Sequence, residues 1–122
     1  MLGLPPRLRC FLCLRATDMR SGFDSLSGIV RTWMRGDPLS GDLFVFVNRA
    51  RTHIKMLYWD EDGFVVVYKR LEQGTFTVTY AAAGNDQTAR QMQRDELLLL
   101  LAGIDQATTQ RRKRYVVSAS SV

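Results

Sequence analysis

Two cysteines, one histidine and a tight run of acids are the residues on which catalysis or metal binding would have to rest. Cys10 and Cys13 are the only cysteines, and His53 is the only histidine. A structural zinc site takes four Cys, His or carboxylate ligands, and this CxxC has no second pair. A redox CxxC follows a strand and opens a helix, whereas this one sits inside the apolar run Leu8–Leu14. On a strand, the spacing puts the two thiols on opposite faces. Both are read as buried structural thiols. Asp60-Glu61-Asp62 could gather a divalent cation, but acids before Gly63 are also what a hairpin turn selects. Asp18 and Asp24 flank a helix start, where carboxylates cap and complement the dipole. A metal site built from Asp18, Asp24 and Asp37 is the alternative. His53 has no motif partner for a nucleophilic triad, and no glycine-rich phosphate loop is present. The expectation is a protein with no catalytic residue, no metal and no cofactor.

The positive charge points elsewhere. Lys and Arg total 17 against 12 Asp and Glu, a net charge of +5 that favours an anionic partner, nucleic acid foremost. Arg49, Arg51, Lys55, Lys69 and Arg70 fall on one predicted hairpin and the turn leading into it. They alternate with apolar residues, as in a β-ribbon that binds phosphates. The plainer alternative is a solvated polar face. With Gly63 in a bulge, Asp60 would lie opposite Phe64 and Lys55 opposite Lys69, so that the two lysines could share a phosphate. No helix-turn-helix is visible, which favours backbone contact over base reading. Trp33, Phe44, Phe46, Tyr58, Trp59 and Phe64 lie in periodic apolar patterns and read as core rather than as a stacking platform.

The elements that must position these residues follow from the pattern. Arg9–Arg15 reads as a strand. Phe23, Leu26, Ile29, Val30, Trp33 and Met34 recur at three- and four-residue spacing and predict a helix over Ser21–Arg35, closed by Gly36 and Asp37-Pro38. Strands are predicted over Leu43–Val47, His53–Trp59 and Phe64–Lys69, and another over the alternating run Thr75–Tyr80. Ala81–Asp86 reads as a loop. A second helix occupies part of Gln87–Ala102 and ends at Gly103. With 46% hydrophobic and 24% charged residues the chain is globular. It should form one α+β domain over residues 1–105: an antiparallel sheet of about four to five strands, with one long and one shorter helix packed on one face. Residues 106–122, basic at Arg111–Arg114 and then serine-rich, should be a flexible tail that adds anion binding. No secretory signal is apparent, and the longest apolar stretch, Leu97–Ala102, is too short to span a bilayer. A cytoplasmic protein without membrane attachment is expected.

Several blocks of the sequence carry a resemblance. Thr17-Asp18-Met19-Arg20 with Gly22-Phe23-Asp24 is similar to the block TDMRKGFDGL. Asp37-Pro38, Ser40-Gly41 and Leu43-Phe44-Val45-Phe46 are similar to DPxSGxLFVF. Asn48–Thr52, Leu57-Tyr58-Trp59-Asp60, Asp62-Gly63-Phe64 and Tyr68–Glu72 continue the match, and Gly103-Ile104-Asp105 looks like a C-terminal LLxGID element. These blocks resemble the small accessory proteins, often called TnpB, encoded by the second open reading frame of the IS66 family of bacterial insertion sequences. They do not resemble the RNA-guided nuclease of the same name. The resemblance implies a bacterial transposable-element protein that assists DNA transposition and recombination without catalysing it. Its implied partners are transposon DNA and the cognate transposase. Its implied motif residues are Asp18, Met19, Arg20, Gly22, Phe23, Asp24, Trp59, Asp60 and Gly63. An adaptor that binds the transposase without touching DNA is the alternative reading, and a metal-dependent nuclease a distant third.

Overall fold

An unbroken apolar run has to be buried on both sides, and Leu43–Val47 is, at every position. In the computed structural model, which describes residues 8–82, 84–105 and 110–111, this run is the centre of the sheet. The elements are β1 (Cys10–Cys13), α1 (Phe23–Thr32), β2 (Leu43–Val47), β3 (His53–Asp60), β4 (Gly63–Arg70), β5 (Ala89–Met92), α2 (Arg94–Ala102), β6 (Ile104–Asp105) and β7 (Gln110–Arg111). Five strands form one sheet in the order β4-β3-β2-β1-β5, and β6 and β7 form a separate antiparallel pair. The chain is thus a single α+β domain. The sheet is mixed rather than wholly antiparallel, because β1 pairs parallel to β2, with Phe11 opposite Phe44. A parallel pair needs a crossover, and the chain between β1 and β2 supplies it with α1.

Side chains alternate across the sheet, and each face carries its own core. On one face Leu26 and Val30 of α1 pack with Cys13, Phe44, Phe46 and Leu57. On the other, Leu97 and Leu100 of α2 join Cys10, Leu12, Val45, Val47, Ile54 and Met56. The helices therefore lie on opposite faces, not on one. Cys10 and Cys13 are free, buried and on opposite faces, as their spacing requires.

Further expectations differ from what forms. The apolar stripe of the first helix runs on to Met34, but α1 stops at Thr32. The chain turns left-handed at Arg35 (φ 55°). A Cβ on Gly36 would stand 3.1 Å from the Phe44 ring, so the helix end is pressed against β2. Thr75–Tyr80 is not a strand. Phe76 and Val78 are buried and Thr77 and Thr79 exposed, so the alternation is real. It reflects one-sided burial, since the segment lies over the α2-side core instead of joining a ladder. Its anchors are Phe76 N–H to the Arg51 carbonyl (2.7 Å) and Ala81 N–H to the Leu14 carbonyl (2.9 Å). The outer strand opposite β4 is instead β5, four residues (Ala89, Arg90, Gln91 and Met92) without the β-branched or aromatic residues usual in strands, held by pairing with β1.

α2 starts within the predicted window, at a capping box in which Gln93 and Glu96 satisfy each other's backbone N–H, and ends at Gly103 in the left-handed conformation (φ 77°). Gln110–Arg111 pairs with Ile104–Asp105, and the rest of the expected tail lies outside the described residues. Among the described residues no helix is long and apolar enough to cross a membrane.

If the irregular segment is part of the core, Phe76→Ala should destabilise the protein by about 3–5 kcal/mol, the loss expected of a ring buried in a regular element. Urea unfolding measures it, and a loss below about 1 kcal/mol would mean that the segment opens independently of the sheet.

Candidate nucleic-acid interface

The parallel pairing of β1 and β2 brings the loops that leave their carboxyl ends together. Thr17 is buried, and its N–H bonds to the Val47 carbonyl (3.0 Å), strapping the first loop to the end of β2. The second loop is folded by one side chain. Asn48 Oδ1 accepts the N–H groups of Thr52 (2.9 Å) and His53 (3.0 Å). Arg51 N–H bonds back to the Asn48 carbonyl (3.1 Å), and Arg51 itself takes a positive φ of 60°. The turn leaves Arg49 exposed and directs Arg51 inward. Arg51 Nε donates to the Val78 carbonyl (2.8 Å), and its guanidinium lies 4.7 Å from the centre of the Tyr80 ring. The Tyr80 hydroxyl donates to the carbonyls of Val47 and Asn48. Burial pushes the Tyr80 phenol up from its ordinary value, which keeps it a neutral donor.

Arg15, just past β1, lies 4.3 Å over the Trp33 ring at the end of α1. These two arginine–aromatic stacks border a cleft of about 760 Å³. Arg15, Arg49 and Arg51 line it together with Thr17, Ile29, Trp33 and Tyr80, and among the described residues no acidic one does. The Cys13 thiol reaches its wall, and burial raises its pKa, so it is a thiol rather than a reactive thiolate. A shallower depression shares Arg49 with the cleft and is lined by Asp18, Met19 and His53 among others.

The five basic residues proposed from sequence separate in space. Arg49 and Arg51 enter the cleft. Lys55 and Lys69 do not face each other: Lys55 lies opposite Tyr68, and Lys69 opposite Ile54. The hairpin closes one residue tighter than expected, with Asp60 opposite Gly63 and Glu61 at φ 56°, and a one-residue slip moves a side chain to the other face. Lys55 Nζ donates to the Ser21 carbonyl (2.9 Å) and lies 4.8 Å from the centre of the Tyr68 ring. Lys69 Nζ reaches the Leu101 carbonyl (3.3 Å) at the C-terminus of α2, where a cation complements the dipole. Arg70 is paired with Glu72 (2.7 Å).

The motif residues lie around the start of α1 and the β3–β4 turn. Asp18 caps no helix. It accepts the Arg20 N–H (2.8 Å) and pairs with the Arg20 guanidinium (2.6 Å), while the N-cap of α1 is Gly22 without a side-chain bond. Asp24 lies in the first turn of α1, and Phe23 beside it is exposed. Met19 packs against the α1-side core. Trp59 meets Phe64 edge to face at 5.1 Å, next to the turn that Asp60 and Gly63 close. Asp18, Asp24 and Asp37 do not converge, and among the described residues no group of three or more His, Cys, Asp or Glu could hold a metal. Phe44 and Phe46 are core as expected, and Tyr58, Trp59 and Phe64 are half-buried. Trp33 is not core: it is 44% exposed. Arg15, Trp33 and Tyr80 were not picked out as site residues. The only signal available was basic residues at the carboxyl ends of two strands that a parallel pairing would bring together.

The arrangement is that of a small α+β domain with a cationic cleft. A family model described as IS66 Orf2 like protein matches residues 8–111, and the chain belongs to that family, which associates it with transposition of an insertion sequence. Two uncharacterized proteins of Sinorhizobium fredii (strain NBRC 101917 / NGR234) are similar to it. One, y4jC, is 31% identical over 112 residues, covering 92% of each chain. The other, y4hO, is 35% identical over 105 residues, covering 86% of this chain and 88% of its own. No solved structure matches the chain.

The Asp18–Arg20 pair gives a pH signature. The side-chain bonds from Arg20 lower the Asp18 pKa from its ordinary 3.8 to about 2. Because the folded value is the depressed one, any stabilisation is complete above the ordinary value and is lost as pH falls through about 2. An NMR titration should place the Asp18 midpoint near 2 in the native chain and return it toward 3.8 in Arg20→Gln. A midpoint at the ordinary value in both proteins would show that the pair does not persist in solution.

Proposed function

We propose that the protein is a non-catalytic accessory factor of transposition that binds the DNA backbone through Arg15, Arg49 and Arg51 and acts beside the cognate transposase. One observation carries this reading. Arg9, Arg20, Arg70 and Arg90 are each paired with a carboxylate, whereas the three cleft arginines have no such pair among the described residues. Guanidinium groups without a carboxylate partner, lining a cleft with no acid among the described residues, suit phosphate, because each neutralised phosphate releases condensed counterions. The intact turn at Asn48 and the stacks on Trp33 and Tyr80 hold two of these groups in place before binding.

A second reading is favoured by β4. It is an eight-residue outer strand, with Tyr68, Lys69 and Arg70 exposed, and such an edge can accept a strand from a partner. That is the adaptor reading, in which the transposase binds directly and DNA does not.

The two readings separate by salt dependence. Purified protein should bind DNA more weakly as salt rises. Replacing Arg15 and Arg49 with Gln should lower affinity and flatten the log–log slope by roughly one per lost contact. Arg70→Gln, which removes a cation already neutralised by Glu72, should leave the slope nearly unchanged. Absence of DNA binding, with transposase capture that survives nuclease treatment, would decide for the adaptor.

A further inference from the structure

The cleft has a shape that a duplex backbone does not need. Phosphates on a double helix stand out as a convex ridge, and a flat or gently curved basic face is enough to meet them. Here the three arginines border a concavity of about 760 Å³, within the range of roughly 300–1,000 Å³ in which proteins enclose small organic groups. Its lining is mixed. Ile29, Ala16 and Ala81 offer apolar surface between the arginines, and buried Thr17 is part of the wall. Only a group that leaves the ridge and enters the concavity can use that surface.

The aromatic residues identify the kind of group. Trp33 is 44% exposed at the cleft, although it belongs to the apolar stripe whose Leu26, Val30 and Met34 are buried. Tyr80 is fixed by its two hydroxyl bonds and by Arg51, so it is a rigid wall. A guanidinium stacked on a ring keeps the N–H groups of its outer edge free for phosphate oxygens. Trp33 and Arg15 therefore offer a flat apolar surface and a phosphate donor within one nucleotide's reach. Aromatic rings and arginine planes beside a basic groove are how proteins grip unpaired bases.

We propose that the cleft holds an unpaired nucleotide of single-stranded DNA, with its phosphate between Arg15 and Arg49 and its base against the Arg15–Trp33 stack. This rests on the DNA-binding reading above and narrows it. The preferred substrate is a single-stranded or frayed segment, such as cleavage and strand exchange expose at the ends of a mobile element, rather than intact duplex.

The test uses the full chain and fluorescence anisotropy with three probes: a twelve-residue oligothymidylate, a duplex of the same length, and thymidine monophosphate alone. The expected order is oligothymidylate, then duplex, then mononucleotide. Trp33→Ala should weaken oligothymidylate about tenfold or more and duplex by a clearly smaller factor, since Arg15 loses its support in both cases, while Trp33→Phe should retain most of the binding. In a Trp59→Phe background, oligothymidylate should quench the remaining Trp33 emission, which tests stacking without touching the cleft. Duplex bound as tightly as the single strand, with no quenching and no effect of Trp33→Ala, would overturn this inference and leave the DNA-binding reading standing. Binding to neither form of DNA would overturn both. Mononucleotide bound as tightly as the oligomer would assign the cleft to a small molecule and overturn the strand proposal.

Discussion

β1 is four residues long, yet it joins the two parts of the sheet. It pairs parallel to β2 on one side and antiparallel to β5 on the other. A parallel pair cannot be closed by a turn, so the chain has to leave the sheet, cross one face and return. Everything about the cleft depends on that crossover. It carries α1 onto the face of Phe44 and Phe46 and sets Trp33 beside the exit of β1. It also aligns the two strands so that their carboxyl-end loops meet. In an antiparallel pair, Arg15 and Arg49 would leave the sheet at opposite ends.

The second constraint is the closure of the other face. α2 covers only part of it, and the irregular segment carrying Phe76 and Val78 covers more. That segment could not be replaced by an ordinary loop, because Tyr80 and the Val78 carbonyl at its end hold the inner side of the Asn48 turn. The core of one face and the wall of the cleft are thus made by the same stretch of chain. Loss of packing at Phe76 would reach Arg51 through its carbonyl, which accepts the Phe76 N–H.

How much of this was legible follows from which forces are local. Leu43–Val47, the β3–β4 hairpin and the Gly103 end of α2 were readable, since apolar runs and turn chemistry act over a few residues. The alternation of Thr75–Tyr80 was read correctly as one-sided burial and wrongly as a ladder, because period two reports sidedness and not hydrogen-bond partners. β5 carries almost no signal of its own, as Ala89-Arg90-Gln91-Met92 is a strand only because β1 offers an edge. The hairpin register failed by one residue. Whether Glu61 or Gly63 takes the positive φ is decided by the packing of the flanking strands, and that slip alone separated Lys55 from Lys69. Arg49 and Arg51 were visible as a basic pair. Arg15, 34 positions before Arg49, could not be joined to them without knowing that β1 and β2 run parallel.

Charge counts therefore say less than charge partners. A net +5 and a basic hairpin suggested five phosphate contacts, but three of those side chains are engaged within the fold. Lys55 and Lys69 satisfy backbone carbonyls at the start and end of the two helical layers, and Arg70 has its own carboxylate. Such engagements lower what a cation can gain from a phosphate, since the protein partner must be given up first. Arg51 is an intermediate case: Nε is committed to the Val78 carbonyl while the rest of its guanidinium stays against Tyr80 at the cleft. Arg15 and Arg49 carry no comparable commitment to a carboxylate among the described residues, and they line the same cleft. The basic residues of the hairpin, where the sequence concentrates them, are thus engaged within the fold, whereas those at the ends of the parallel strands have no carboxylate partner among the described residues.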